Sequence, residues 1–301
     1  MPELPDVIIY IESLASRIAG RPLERARLFS PFVLRSVSPA FSSIEGKRVT
    51  ELRRLGKQIV FCFENDLFMV VHLMIAGRFQ WKAKGKAVGG RLGLASFNFP
   101  NGTLILTEAG SKKRASLHIV QGEDALKRFN RGALEVMDST LEEFAHALRK
   151  ENHTLKRSLT DPRLLSGIGN AYSDEILHRA RLSPMKLTSK LTGGEIATLH
   201  AAALSTMNEW IERLRTEAQK EFPSKVTAFR PEMAVHGRYG KPCPVCGAPV
   251  QRIVYAENEC NYCVTCQTNG KLLADRAMSR LLKEDWPRSL DEWEERKSHP
   301  D

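Results

Sequence analysis

The sequence predicts a multi-domain α+β protein: a helix with a β-sandwich or flattened barrel first, an all-helical domain second, and a four-cysteine β-hairpin module third. Three observations carry this prediction. Short apolar runs of alternating period fill residues 24–120 and then stop, apolar residues at helical spacing take over to about 222, and five of the six cysteines fall between Cys243 and Cys266. With 301 residues the chain can bury more than one core without disulfide staples.

In chain order, residues 6–19 read as an amphipathic helix, with Val7, Ile11, Leu14 and Ile18 on one face, Pro5 at its entry and Gly20 just past its end. It presents residues 2–4 at its positive end. Strands are expected at 48–55, 57–63, 67–73, 78–81, 96–99 and 103–107, with turns at Glu64-Asn65-Asp66 and at Asn101-Gly102, a strong two-residue hairpin signal. Ser139 with Glu142, and Thr192 with Glu195, match capping boxes ahead of apolar runs. Gly167 and Gly169 call for an unusual backbone just before a helix at 171–180. Prolines at 223, 231 and 242 mark a loop leading into the cysteine module, and residues 271–283 and 289–296 suggest two terminal helices.

Lys and Arg exceed Asp and Glu by 45 to 35, a net charge of +10 that favours polyanionic partners. Residues 284–301 hold seven acids and three bases, a net of −4, so the first 283 residues carry +14. No stretch of 18 residues is free of charge, because the run from 59 to 79 is broken by Glu64, Asp66 and Arg78; a transmembrane span is not expected. The amino terminus lacks the basic region and cleavage site of a secretory signal, so the cytosol is the expected compartment.

Cys243-Pro-Val-Cys246, sixteen residues, then Cys263-Val-Thr-Cys266 is the spacing of two knuckles whose four thiolates close a tetrahedron around one structural zinc, with a hairpin from Val250 to Tyr262 between them. Cys260 is a spare thiol and Cys62 sits in an apolar strand. Pro2 follows the first methionine, and removal of Met1 would leave a secondary amine as the chain terminus. A terminal amine has a pKa near 8, about two units below lysine, so far more of it is free base at neutral pH. Glu3 beside it is a candidate acid or base.

Pro2-Glu3-Leu4-Pro5-Asp6-Val7, Leu55-Gly56-Lys57, His72-Leu-Met-Ile-Ala-Gly77, Gly167-Ile-Gly-Asn170-Ala-Tyr172-Ser-Asp174-Glu175 and the four-cysteine ribbon together resemble the formamidopyrimidine-DNA glycosylase and endonuclease VIII family, in that family's order and over about residues 1–270. The resemblance implies an amino-terminal helix plus two-layered β-sandwich at 1–120 and a linker at 121–138. It further implies a helix-two-turns-helix DNA-binding domain at 139–225, a zinc finger with its lead-in loop at 226–270, and beyond them an acidic helical extension at 271–301. It also implies a bifunctional repair enzyme that excises an oxidised base from duplex DNA and cleaves the abasic site by β,δ-elimination. Pro2 would be the nucleophile, forming an imine with the sugar; Glu3 would be the acid or base, and Lys57 would assist at the lesion phosphate. Lys156 and Asn170 would hold backbone phosphates, contacts that position the duplex without reading sequence.

The chain departs from the family's pattern at several positions, one being Asp6, where the family more usually has glutamate. Ile75, beside Met74, occupies the position of the intercalating methionine. The arginine and phenylalanine that probe the opposite base are absent; Glu108-Ala-Gly-Ser-Lys112-Lys113-Arg114 stands there, with Arg114 the first candidate to enter the duplex. Asn258 stands where the zinc hairpin usually carries an arginine, and Arg252 or Lys271 would have to compensate. The expected partner is double-stranded DNA containing damaged bases or abasic sites, bound by a monomer, with no membrane association. Two other readings are a non-catalytic protein binding abasic or distorted DNA on the same scaffold, and a zinc-ribbon factor for RNA or transcription.

Overall fold

The structure is a computed structural model of the chain and describes all residues except 87–91, 111, 225, 227–228, 256–257, 275–279, 288, 291, 293–294 and 296–301. In order, the elements are α1 (Leu4–Ile18), β1 (Arg25–Leu28), β2 (Val49–Leu55), β3 (Gln58–Phe63), β4 (Leu67–His72), β5 (Gly77–Lys82), β6 (Gly93–Phe99), β7 (Gly102–Glu108) and β8 (Ser116–Gln121). Then come α2 (Glu123–Lys127), α3 (Leu141–Arg149), α4 (Leu155–Thr160), α5 (Asn170–Arg179), α6 (Gly193–Ala218), β9 (Val250–Tyr255), β10 (Asn258–Cys263) and α7 (Val264–Thr268). The chain divides into two compact units, Met1–Ala133 with Asn208–Thr227, and Leu134–Met207 with Ala228–Asp301.

The first unit is the sandwich. One sheet has the order β1-β6-β7-β5 and the other β2-β3-β4-β8, every neighbouring pair antiparallel. Val7, Tyr10, Leu14 and Ile18 of α1 join one buried cluster with Ile59, Phe61, Phe79, Phe97, Leu104 and Leu106 from the two sheets. Alternation along the strands sends these side chains inward, and their burial is the main stabilising term of the unit. Residues of the α6 C-terminal half and beyond also belong here: Phe222 packs on Tyr10, and Arg215 donates from Nε and Nη2 to both carboxylate oxygens of Glu12 of α1 at 2.9 and 2.6 Å.

Three local expectations shift. Phe99 pairs with Gly102, so the turn residues of the β6–β7 hairpin are Pro100 and Asn101. Gly102 is required because a Cβ there would lie 2.4 Å from the Trp81 ring. Leu55 pairs with Gln58, which puts Lys57 in a two-residue turn after Gly56 at φ +60°, not within a strand. Strands β1 and β8 are additional to those expected.

The second unit is helical, followed by the cysteine hairpin. The cap of α3 is Thr140, whose hydroxyl accepts from Glu143 N–H at 3.2 Å while Glu143 accepts from Thr140 N–H at 2.8 Å; the expected Ser139–Glu142 box is one residue early, because Ser139 instead donates to Val136 O. The Thr192–Glu195 box forms as expected ahead of α6. Strands β9 and β10 pair from Val250↔Cys263 to Tyr255↔Asn258. Of the expected helices at 271–283 and 289–296, residues 275–279, 291, 293–294 and 296 lie outside the described residues; residues 271–274 are not helical, since Lys271 bridges Ser289, while residues 280–282 are helical, and Leu290 packs on a cluster of Ile253, Cys260, Tyr262 and Val264, holding part of the acidic tail against the hairpin.

Candidate active site

In the first unit, one end of the sandwich collects the residues singled out from the sequence. Glu3 caps α1 and is buried; its backbone N–H donates to Asp6 Oδ2 at 2.9 Å, so Asp6 braces the turn that follows Pro2. Pro2 is buried as well. The terminal amine of Met1 is held below its ordinary value, by burial first; the charges of Glu3 and Asp6 oppose that shift, while those of Arg78 and Lys57 add to it. Glu3, Lys57 and Arg78 therefore share one electrostatic environment with the chain terminus.

Lys57 reaches this end because the β2–β3 hairpin tip lies beside the end of β4, where Gln58 pairs with His72. Burial, helped by the positive charges of Lys57 and Arg131, pushes His72 down to about 4, so its imidazole is neutral near pH 7. His72 Nδ1 accepts from Met74 N–H at 3.0 Å and fixes the turn after β4, in which Met74 itself sits at φ +53°. The turn is closed further by Gly77 N–H to Leu73 O at 2.9 Å, and a Cβ on Gly77 would lie 2.2 Å from that oxygen. Its tip, Ile75, is 51% exposed. Arg78, which sequence reasoning passed over as a break in an apolar run, donates to Ile75 O at 3.1 Å and Gly77 O at 2.6 Å.

Arg114 lies on the connection from β7 to β8 at the same end and is exposed. The connection is clasped by Glu108, a buried carboxylate that accepts from Arg114 N–H at 3.0 Å through both oxygens and from Ala115 N–H at 3.2 Å; Lys113 Nζ donates back to Glu108 O. Glu108 was another residue the sequence reading left without a role. An acidic residue closing a strand six residues ahead of a basic run is the signal that points to it.

The second unit holds Lys156, Asn170 and the cysteines. Lys156 is not displayed to solvent: it is 4% exposed, and Nζ donates to Asn170 O at 2.7 Å, Ser173 Oγ at 2.7 Å and Asp174 Oδ1 at 2.6 Å. Lys156 was expected to hold a backbone phosphate; here its ammonium is instead matched within the protein, because a buried ammonium needs all its donors satisfied and α5 supplies the acceptors. Asp174 Oδ2 also meets His236 Nδ1 at 2.8 Å and accepts from Asn261 N–H at 3.1 Å. Glu175 accepts from the backbone N–H groups of Ala234, Val235 and His236 at 2.7–2.9 Å; burial nevertheless pushes its carboxyl up. Asn170 is the first residue of α5, after Gly167 at φ +82°, and its Nδ2 donates to Glu259 O at 2.9 Å. The amino end of α5, the lead-in loop and β10 are thus joined by one buried polar network.

Cys243, Cys246, Cys263 and Cys266 bring their sulfurs within 4.8 Å of one another. All are free thiols, with Cys246 and Cys263 3.4 Å apart and Cys243 and Cys266 4.0 Å apart, too long for disulfides and close to the roughly 3.8 Å edge of a tetrahedron with metal–sulfur bonds of about 2.3 Å. The four residues fit a closed metal site. His178 Nε2 lies 3.3 Å from Cys243 Sγ. Cys260 is buried outside the foursome, and Cys62 is core, its thiol pushed up to about 12 by burial. Arg252 stacks over Tyr239 at 4.4 Å on the hairpin.

Comparison with known proteins agrees with this architecture. The model of the formamidopyrimidine-DNA glycosylase N-terminal domain matches residues 1–109, and that of the formamidopyrimidine-DNA glycosylase H2TH domain matches residues 134–221. The formamidopyrimidine-DNA glycosylase of Thermus thermophilus is 31% identical over 281 residues, 90% of this chain and 100% of its own. An uncharacterized formamidopyrimidine-DNA glycosylase-like protein of Mycobacterium tuberculosis is 40% identical over 149 residues, 50% of this chain and 92% of its own. The crystal structure of wild-type Lactococcus lactis Fpg (MutM) in complex with an N7-benzyl-Fapy-dG containing DNA covers 89% of this chain and 100% of that one, with a TM-score of 0.79 and 25% identity. The chain belongs to the formamidopyrimidine-DNA glycosylase family.

Proposed function

We propose that this protein is a DNA glycosylase that removes damaged bases from duplex DNA and then cleaves the abasic site, using the amine of Pro2 once Met1 has been removed. The observation that carries this reading is the meeting of the chain terminus, the buried Glu3, Lys57 and Arg78 at one end of the sandwich. Burial first, and then the charges of Arg78 and Lys57, lower the pKa of the Met1 amine at this end against the opposing charges of Glu3 and Asp6, the direction that favours a free-base terminal nucleophile.

In the proposed reaction the Pro2 nitrogen bonds to C1′ of the damaged nucleotide as the bond from C1′ to the base breaks and the base leaves with a proton. Glu3 protonates the sugar ring oxygen, the ring opens, and the nitrogen's lone pair forms an iminium with C1′. Loss of a C2′ proton expels the 3′ phosphate, and a second elimination expels the 5′ phosphate. Lys57 stabilises the phosphate of the reacting nucleotide. The base must first leave the stack, which costs a few kcal/mol and calls for an apolar filler; the exposure of Ile75 at the tip of its turn supports that role for it.

In the second unit the amino end of α5, with Asn170, supplies backbone phosphate contacts. Lys156 acts from inside by holding Asn170 O. The four cysteines would hold one zinc ion, which supplies structural cross-linking when bound, and His178 steadies the Cys243 sulfur. A panel of duplexes carrying single oxidised purines or pyrimidines, assayed for base release, tests the reading. Wild-type protein should release at least one of them, with a loss of two orders of magnitude or more on Glu3→Gln. Release of none, with duplex binding intact, would instead support a binding protein on this scaffold.

A further inference from the structure

Phe32 is the most exposed described aromatic side chain, at 76%, and its place in the fold gives that exposure meaning. Three chain segments cross between the two sheets at the end of the sandwich that carries Glu3 and Lys57. Residues 73–76 lead from His72 of β4 to Gly77 of β5, with Ile75 at the tip. Glu108 to Ser116 leads from β7 to β8 and carries Lys112, Lys113 and Arg114. Residues 29–35 make the third crossing: Phe29 N–H donates to Leu94 O at 2.9 Å in one sheet, and Arg35 N–H donates to Leu117 O at 2.8 Å in the other.

The three crossings lie side by side. A Cβ built on Gly110 would stand 3.6 Å from Ala76 Cβ, so the basic connection abuts the Ile75 turn. Leu34 bridges Leu117, three residues beyond Arg114, so the Phe32 segment abuts the basic connection from the other side. Two apolar tips, Ile75 at 51% exposure and Phe32 at 76%, therefore bracket a basic stretch in which Lys112 and Arg114 are exposed. Ile75 lies on the side of the terminal amine, since Arg78, which acts on that amine, donates to Ile75 O. Phe32 lies on the far side.

Resting on the function proposed above, we propose that Phe32 is a second wedge, which stacks against a base of the strand opposite the reacting nucleotide. Lys112 and Arg114 hold that strand's phosphates, and Ile75 fills the space on the reacting strand. The occupant is duplex DNA: a water-exposed phenyl ring beside cations matches a surface that presents stacked bases behind phosphates, and every base offers a face to an aromatic ring.

The test uses a duplex with one tetrahydrofuran abasic analogue, which cannot form the imine, and 2-aminopurine directly opposite it. Wild-type binding should raise 2-aminopurine emission as the wedge unstacks that base. Phe32→Ala should lose at least half of the rise and weaken binding about fivefold or more, with the salt slope unchanged because no phosphate contact is lost. Phe32→Tyr should restore both, and Val37→Ala, which trims a side chain 96% exposed, should alter neither. Phe32→Ala within twofold of wild type in both readouts overturns the proposal, as does a wild-type protein that produces no emission rise. Borohydride trapping on a natural abasic duplex is scored separately: a wild type that gives the emission rise but never traps sinks the lyase chemistry and leaves the wedge standing.

Discussion

On the proposed mechanism the residue that decides reactivity at the sandwich end is the chain terminus, and its neighbours set its pH response. Burial lowers the amine below 8.0, and the charges of Arg78 and Lys57 lower it further. The reactive form is the free base, so abasic-site cleavage should rise with pH along a limb as the terminal amine loses its proton. Arg78→Gln removes one cation, which relieves the charged amine and raises its pKa. The limb should then move to higher pH, read from single-turnover rates between pH 5 and 9; an unmoved limb would mean that Arg78 does not act on the amine. Pro2, Glu3 and Lys57 could be singled out in the sequence because each belongs to a short local motif, although Lys57 was expected in a strand and sits in the β2–β3 turn. Arg78 and Glu108 were not, because what makes each matter is a partner brought in by the fold: the amine for Arg78, and the backbone of residues 114 and 115 for Glu108.

At the scale of elements, periodicity located the longer helices and most strands, since burial of one face leaves its mark at every second or every third to fourth residue, whereas the five-residue helices α2 and α7 are too short to show it. Caps and turns were legible to within a residue: Ser139 and Thr140 are both competent caps, and only the hydrogen bonds choose Thr140. The polar network joining α4, α5, the lead-in loop and β10 was illegible, because Asp174, His236 and Asn261 are 62 and 87 residues apart along the chain from the first to the others. That network predicts a stability pattern. Asp174→Ala leaves the Lys156 ammonium buried without its counter-ion and should cost about 3–5 kcal/mol in urea unfolding. Lys156→Met with Asp174→Leu should cost clearly less than the two single changes added together, since neither then strands a charge. Additive costs would show that the two side chains are not coupled.

For the whole molecule, net charge and the cysteine module were plain from composition and spacing, because a thiolate site needs its ligands at fixed intervals. The chain should bind one zinc per protein, measured by elemental analysis, and Cys263→Ser should lose it and lower the melting temperature. Full metal retention by that variant would remove Cys263 from the ligand set. No helix among the described residues is long and apolar enough to cross a membrane, and the basic surplus sits ahead of residue 284. The central claim, that Pro2 is the nucleophile, is tested most directly by sodium borohydride trapping. Protein whose Met1 is shown absent by mass spectrometry would be trapped on abasic-site duplex and the adduct mapped by peptide sequencing. The account predicts a covalent adduct on Pro2, lost in Pro2→Gly protein that still binds the duplex; an adduct mapped to Lys57 or any other side chain, or none at all, would contradict it.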